Sequence, residues 1–201
     1  VTASHEIGLD AVIAVNGNHP FLFRPWDMET TRNEYPYQAI ESWVDRESRP
    51  SVVVIAQSGY AMGNTDGSSW SVQFIPILKR LAELGIAAVV AEAAVGANIE
   101  PRSCSPLQDL VGKCPADIAR ATSTLDENRS GRTIEESKAV RAVNNAVLMD
   151  TLPVLCPATD CPMRRNGEWL WRDSAHISIT ASHLLAPLIA KKMLEAQQLT
   201  K

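Results

Sequence analysis

An aspartate and a histidine stand three positions apart in the segment WLWRDSAHIS, residues 169–178, as Asp173 and His176. A carboxylate at this spacing can accept the Nδ1 proton of the imidazole, which leaves Nε2 free to take a proton from a hydroxyl nucleophile. The same spacing also occurs where an aspartate caps a helix and the histidine is a surface residue. The pair therefore predicts serine-dependent acyl chemistry only if the fold supplies a nucleophile beside it.

The elements that must position this pair begin with a strand, a helix and a second strand. SVVVIAQ (51–57) is a continuous β-branched run, which is typical of a strand buried on both faces. SVQFIPILKRLAELG (71–85) has one apolar helical face and ends at Gly85, and IAAVVAEAA (86–94) reads as the next strand. Short connections between these elements predict a right-handed crossover and a parallel sheet. The fold class is therefore α/β.

The second half of the chain continues this alternation. Helices are predicted from Pro115 and from Thr133, and the apolar face of the latter includes Val147. DTLPVLC (150–156) reads as a short last strand, and SITASHLLAPLIAKKMLEAQQL (178–199) as a closing amphipathic helix. Asp173 and His176 would thus lie between the last strand and the last helix. This is the carboxyl edge of a parallel sheet, where functional groups gather.

Composition narrows the class of protein and its partners. The chain has 201 residues, 45% of them hydrophobic, which suits a single domain over residues 1–201. A net charge of −4 without a Lys/Arg cluster argues against nucleic-acid binding, and no apolar stretch approaches the length of a transmembrane helix. The four histidines are not spaced with carboxylates as metal ligands, so neither a metal nor another cofactor is expected.

The four cysteines form two close pairs, Cys104 with Cys114 and Cys156 with Cys161. Each pair lies in a proline-containing loop, which predicts two short disulfide-closed loops and an oxidising compartment. A zinc site is the main alternative, although metal-binding cysteine pairs usually sit closer together. Four buried free thiols would be the third interpretation, and it explains the pairing least well.

The segment LCPATDCPMRRNGEWLWRDSAHISITASHLLAPLIAKKM (155–193) resembles the C-terminal block of SGNH-type hydrolases. It is most similar to the periplasmic SGNH domains fused to membrane O-acyltransferases that acetylate lipopolysaccharide or peptidoglycan. The shared features are the Cys-x4-Cys loop, the Asp-x-x-His pair and the helix that follows. RPSVVVIAQSGYAMGN (49–64), LKRLAELGIAAVVAE (78–92) and RSCSPLQDLVGKCP (102–115) look like earlier parts of that family. The resemblance implies a flavodoxin-like three-layer sandwich with a mostly parallel central sheet and a Ser-His-Asp triad.

The resemblance also assigns roles to residues in the first third of the chain. The family's first block is a Gly-Asp-Ser-His turn, and Ser4 with the histidine after it matches its second half, so Ser4 is the predicted nucleophile beside Asp173 and His176. Gly17 corresponds to a glycine whose backbone N–H helps to bind the oxyanion. Ser58, directly after a buried strand, would be a substrate or oxyanion contact, and it is the alternative nucleophile because its surroundings have the local shape of a nucleophile turn.

The implied activity is O-acetyl transfer through a serine acyl-enzyme onto a hydroxyl of a cell-envelope carbohydrate. The acetyl donor would come from a membrane acyltransferase domain, fused or separate, and the compartment would be periplasmic or otherwise extracytoplasmic. A carbohydrate acetylesterase is the first alternative, because water can replace the sugar hydroxyl. A non-catalytic carbohydrate-binding SGNH domain is the second, because Ala3 stands where the family has aspartate.

Overall fold

The computed structural model describes residues 40–41, 43, 49–56, 70–92, 104–111, 133–157, 161–173 and 176–200. In chain order these ranges hold β1 (Val52–Ala56), α1 (Trp70–Glu83), β2 (Ala87–Ala91), α2 (Pro106–Leu110), α3 (133–141), β3 (Ala146–Met149), α4 (Leu152–Leu155), β4 (Arg164–Arg165), β5 (Glu168–Trp169) and α5 (Ile179–Gln198). The helix expected from Pro115 lies outside the described residues.

Three parallel strands form the central sheet in the order β1-β2-β3. Val54 pairs with Val89, and Val89 pairs in turn with Val147. Strand β2 is buried along its whole length, since its backbone is hydrogen-bonded on both sides and its AAVVA side chains are covered on both faces. An uninterrupted apolar run is what such a strand requires.

Helices cover both faces of this sheet. On one face, α1 buries Phe74, Leu78 and Leu81 against β2, and α3 adds Ala139 to the same hydrophobic cluster. On the other face, α5 packs Met193 and its neighbours against β2 and β3. The helix, sheet and helix layers confirm the predicted α/β class with a flavodoxin-like arrangement.

The end of α1 follows its sequence signal closely. Gly85 has a φ of 68°, a left-handed conformation that glycine adopts without steric cost. Its N–H donates to the carbonyl of Ala82, and the N–H of Ile86 donates to that of Leu81, both at 2.9 Å. These two bonds form a Schellman motif, which ends the helix and turns the chain into β2.

The third strand lies elsewhere than the sequence predicted. Residues 146–149 were expected to extend the helix from Thr133, and DTLPVLC was expected to be the last strand, yet Ala146–Met149 forms β3 and Leu152–Leu155 forms one helical turn. Proline lacks the N–H that a sheet needs, whereas the first turn of a helix tolerates it, which explains why Pro153 lies in α4. The amide of Asn145 donates to the carbonyl of Ile86 at 2.8 Å and so fixes the start of β3 beside β2.

The direction of α5 places its first turn near the carboxyl edge of the sheet. Gln197, in the last turn, donates from Nε2 to the hydroxyl of Ser51 at 2.9 Å, just before β1 begins. A helix of 20 residues is about 30 Å long, so its beginning lies at the opposite edge of the sheet, where the strands end. Within the part of the chain that the structure describes, none of the helices has the length and apolar character needed to cross a membrane.

Candidate active site

Asp173 and His176 lie on a tight turn directly before α5. Oδ1 of Asp173 accepts the backbone N–H of His176 at 2.9 Å and is 2.7 Å from Nδ1 of the same residue. The backbone N–H of Arg172 donates to the carbonyl of His176 at 2.9 Å and closes the turn. The carboxylate thus holds the histidine by both its backbone and its ring.

This geometry fixes which ring nitrogen is available for chemistry. A carboxylate accepts hydrogen bonds, so the tautomer that fits carries its proton on Nδ1 and has a lone pair on Nε2. The side chain of His176 is 55% exposed, whereas that of Asp173 is only 18% exposed. No described residue hydrogen-bonds Nε2, which leaves that atom open to a hydroxyl group. The arrangement matches the orienting half of a serine triad.

The second oxygen of the carboxylate is also held. Oδ2 of Asp173 accepts a hydrogen bond from Nε of Arg172 at 3.1 Å, while the side chain of Arg172 is 59% exposed. A carboxylate that is bonded through both oxygens has little freedom to rotate away from the imidazole. Arg172 was not predicted as a site residue, although its position directly before Asp173 was a usable signal.

The helix that follows is capped by a different residue. Ser178 has an extended backbone and its hydroxyl accepts the N–H of Ala181 at 3.1 Å, which is the N-cap interaction of α5. The same hydroxyl donates to the carbonyl of Trp169 at 2.5 Å, and the N–H of Ser178 donates to that of Leu170 at 2.9 Å. The interpretation of Asp173 as the helix cap is therefore wrong, because Ser178 fills that position.

A two-residue hairpin supports the turn from the other side. Strands β4 and β5 pair antiparallel. Asn166 and Gly167 form the turn that joins them, and their φ angles are 53° and 82°. Asn-Gly is a strong sequence signal for such a turn, although no hairpin was predicted here. The guanidinium of Arg164 lies 3.8 Å from the centroid of the Trp169 ring, a cation–π contact. Since Arg164 covers that face of the ring, the face is not open for stacking on a sugar.

A second hydrophobic cluster lies beneath the hairpin and the turn. Leu170 and Trp171 are buried there against Leu185 of α5. The disulfide between Cys156 and Cys161 belongs to the same cluster and confirms that predicted pair. The cluster holds both ends of the segment that carries Asp173 and His176, since Trp171 belongs to it and Ile177 packs against it.

The other predicted cysteine pair is described on one side only. Cys104 is disulfide-bonded and packs against this second cluster, whereas Cys114 lies outside the described residues. The pairing of these two cysteines stays a prediction. Zinc ligation requires thiolates, so it is excluded for the three described cysteines.

A separate polar cluster joins the first turns of α1 and α3. Ser71 donates to Oε2 of Glu135 at 2.5 Å, and Lys138 binds the other carboxylate oxygen. Burial is the largest single influence and raises the pKa of Glu135, but the hydrogen bonds from Lys138 and Ser71 and the charge of Lys138 outweigh it and lower the pKa overall. A carboxylate with a lowered pKa is a weak base, so this cluster ties two helices together and does not activate Ser71.

The remaining predicted site residues fall within the first 58 positions of the chain. Ser4, Gly17 and Ser58 lie outside the described residues. Across the ranges that the structure does describe, no group of three or more His, Cys, Asp or Glu side chains is arranged to hold a metal ion.

The comparisons with known proteins give one match. The family model described as the SGNH domain (fused to AT3 domains) matches residues 2–191, which is nearly the whole chain. Searches of curated proteins and of solved structures find no significant match. The family match includes both halves of the chain, and the structure has the family's α/β architecture with an Asp-x-x-His turn before its last helix. The chain therefore belongs to the family of SGNH domains that are fused to AT3 domains, and its role is of the acyltransferase or esterase type.

Proposed function

We propose that residues 1–201 form one SGNH domain that transfers an acetyl group, through a serine acyl-enzyme, onto a hydroxyl of a cell-envelope carbohydrate. The observation that carries this proposal is the bond between Asp173 and Nδ1 of His176, which leaves Nε2 unbonded by any described residue at the carboxyl edge of the sheet. Membership of a family fused to AT3 domains supports transfer over simple hydrolysis, because it implies a membrane acyltransferase partner that delivers the acetyl group.

The chemistry would proceed in two steps. Nε2 of His176 takes the proton of the serine hydroxyl while the serine oxygen attacks the acetyl carbonyl, and Asp173 stabilises the imidazolium that forms. His176 then returns the proton to the leaving group, and the acetyl group stays on the serine. In the second step Nε2 deprotonates the sugar hydroxyl, which attacks the acyl-enzyme and regenerates the serine. We propose Ser4 as the nucleophile and the backbone N–H of Gly17 as an oxyanion donor, with Ser58 as a substrate contact or the alternative nucleophile.

An acetylesterase is the second candidate, and the exposure of the site favours it. The His176 side chain is 55% exposed, so water can reach Nε2 unless a bound sugar or a partner domain covers it. In that reaction water replaces the sugar hydroxyl in the second step. Exclusion of water from the acyl-enzyme decides between the two outcomes.

The disulfides and the family support the proposed compartment. The bond between Cys156 and Cys161 forms and persists in oxidising environments. Together with the family's fusion to AT3 domains, it supports a periplasmic location on the outer side of a membrane.

Labelling with a fluorophosphonate, which reacts with activated serines, tests the proposal. We expect one labelled peptide containing Ser4, and we expect labelling to be lost in Ser4→Ala and in His176→Ala but retained in His183→Ala. His183 is a suitable control because it is an exposed histidine on α5, outside the turn. A labelled peptide containing Ser58 would move the nucleophile to that residue. Absence of any labelling in the folded protein would support a non-catalytic carbohydrate-binding domain.

A further inference from the structure

The guanidinium of Arg172 contacts both Asp173 and solvent. Its Nε donates to Oδ2 of Asp173 at 3.1 Å, yet 59% of the side chain is exposed. The two terminal amino groups, Nη1 and Nη2, make no hydrogen bond to any other described residue. These two groups form the planar edge with which arginine binds carboxylates and phosphates through two parallel hydrogen bonds.

The backbone holds Arg172 beside His176. The N–H of Arg172 donates to the carbonyl of His176 at 2.9 Å, and Trp171 forms a β-bridge with Ile177. Arg172 and His176 therefore face each other across the base of one short turn. Nε of Arg172 and Nδ1 of His176 also bond the two oxygens of one carboxylate, so a ligand group bound by Nη1 and Nη2 would lie at the same turn as the imidazole.

The other cations of this segment are already engaged in the fold. Arg164 stacks on Trp169, and Nη2 of Arg165 donates to the carbonyl of Val154 at 2.7 Å. Arg172 is the exposed one of the three. A ligand anion would thus meet a guanidinium whose terminal groups bond none of the described residues.

The start of α5 does not supply a second positive group for an anion. The first turn of this helix of 20 residues contains no acidic side chain of its own, but the carboxylate of Glu168 accepts a hydrogen bond of 3.4 Å from the hydroxyl of Thr180 there and offsets the positive end of the dipole. The chain as a whole carries a net charge of −4, which gives an anion no general attraction to the protein. Binding of an anion at the turn would therefore depend on Arg172.

The geometry points to Arg172 as the residue that recognises an anionic group on the sugar that His176 prepares for acetylation. The substrate class would be an acidic glycan that carries a carboxylate or a phosphate near the reacting hydroxyl. This inference rests on the proposed function, because that function makes the space beside Nε2 the position of the acceptor.

Binding without turnover is the first test. Titration of the protein with methyl β-D-glucuronide, with the 6-phosphate of methyl glucoside and with methyl glucoside, followed by NMR, separates carboxylate, phosphate and neutral sugar. We expect at least one of the two anionic sugars to bind about tenfold more tightly than the neutral one, which corresponds to about 1.4 kcal/mol. Arg172→Gln should abolish this preference, and Arg172→Lys should retain part of it because it keeps the charge without the planar edge.

The control variant is Arg141→Gln. Arg141 is an exposed arginine at the end of α3, near the amino edge of the sheet, so its replacement removes the same charge far from the turn. It should leave the preference for the anionic sugar unchanged. An equal loss of preference in Arg141→Gln would show that net charge alone is responsible and would overturn the inference, as would equal binding of all three sugars by the unmodified protein.

Acceptor selectivity is the second test. With p-nitrophenyl acetate as donor, the ratio of kcat/KM for the anionic acceptor to that for the neutral acceptor should fall about tenfold in Arg172→Gln. A role limited to positioning Asp173 would lower both values equally and leave the ratio unchanged, and that result would overturn the inference. If no acetyl transfer occurs but the anionic sugar still binds through Arg172, the recognition role holds and the proposed function is wrong.

Discussion

Strand β2 and the turn at Asp173 and His176 lie in one fold but are stabilised in opposite ways. All five residues of β2 are buried, between two parallel strands and between helices on both faces. At the turn, the side chain of His176 is 55% exposed and its position depends on hydrogen bonds between residues close in sequence. Burial of apolar area stabilises the sheet, whereas short-range polar contacts position the turn. Changes in the sheet should therefore alter stability, and changes at the turn should alter rate.

Replacement of His176 by alanine should give the largest effect, and on rate alone. If the proposed triad is correct, hydrolysis of p-nitrophenyl acetate should fall about a thousandfold or more, because the serine loses its base; this is about 4 kcal/mol of transition-state stabilisation. The thermal midpoint should change little, since a side chain that is mostly exposed contributes little packing.

His183→Ala is the matched control for this prediction. It removes an exposed histidine from α5 and should leave both rate and midpoint near those of the unmodified protein. A His176→Ala protein that keeps its rate would show that the turn is structural. In that case the turn would not have the catalytic role proposed for it.

Leu81→Ala should give the next largest effect, and on stability. Leu81 is fully buried beneath β2, in the cluster that also contains Phe74 and Leu78. Loss of its side chain leaves a cavity, so the free energy of unfolding should fall by about 3 kcal/mol, measured by urea denaturation. The kcat of the folded fraction should stay within about twofold of that of the unmodified protein.

Leu194→Ala is the control for Leu81→Ala. Leu194 lies on α5 but is 45% exposed, so its truncation should cost much less stability. If Leu81→Ala instead lowered kcat by an order of magnitude while the protein remained folded, the sheet and the turn would be coupled and the separation drawn above would not hold.

The same division explains which parts of the fold were predictable. β1, α1 and β2 follow from apolar patterns and from Gly85, because a buried parallel strand and an amphipathic helix each require a particular periodicity. β3 was predicted wrongly because Ala146–Met149 continues an apolar helical pattern, and its strand state depends on pairing with β2, which is distant in sequence. Local periodicity does not contain that information.

The site was predictable to the extent that it is local. The link between Asp173 and His176 joins residues three positions apart, so their types and spacing were sufficient to predict it. Arg172 and Ser178 were not predicted as site residues, since an arginine beside an aspartate and a serine before a helix are common patterns that do not by themselves indicate a contact with the site. The serine nucleophile depends on contacts across the whole chain, and sequence reasoning left Ser4 and Ser58 as alternatives.

Ser178→Ala should give the smallest effect, and it tests the bonds that join α5 to the hairpin. Its hydroxyl accepts the N–H of Ala181 and donates to the carbonyl of Trp169, so the change removes the N-cap of α5 and one bond to the hairpin. Loss of an N-cap costs about 1 kcal/mol of stability. His176 lies two residues before Ser178, so the rate should also fall, by about threefold. This corresponds to a rise of less than about 1 kcal/mol in the activation free energy.

Ser182→Ala distinguishes the loss of these bonds from a general effect of removing a serine from α5. Ser182 also lies in the first turns of the helix, but its hydroxyl donates to the carbonyl of Ser178 within the helix and makes no bond to the hairpin. Alanine is the better helix former at such a position, so urea denaturation should show a change of less than about 0.5 kcal/mol. The rate should be unchanged because the hydroxyl of Ser182 makes no bond to the hairpin. If Ser182→Ala lowered the rate as much as Ser178→Ala does, helix stability in general, rather than the bond from Ser178 to the hairpin, would position His176.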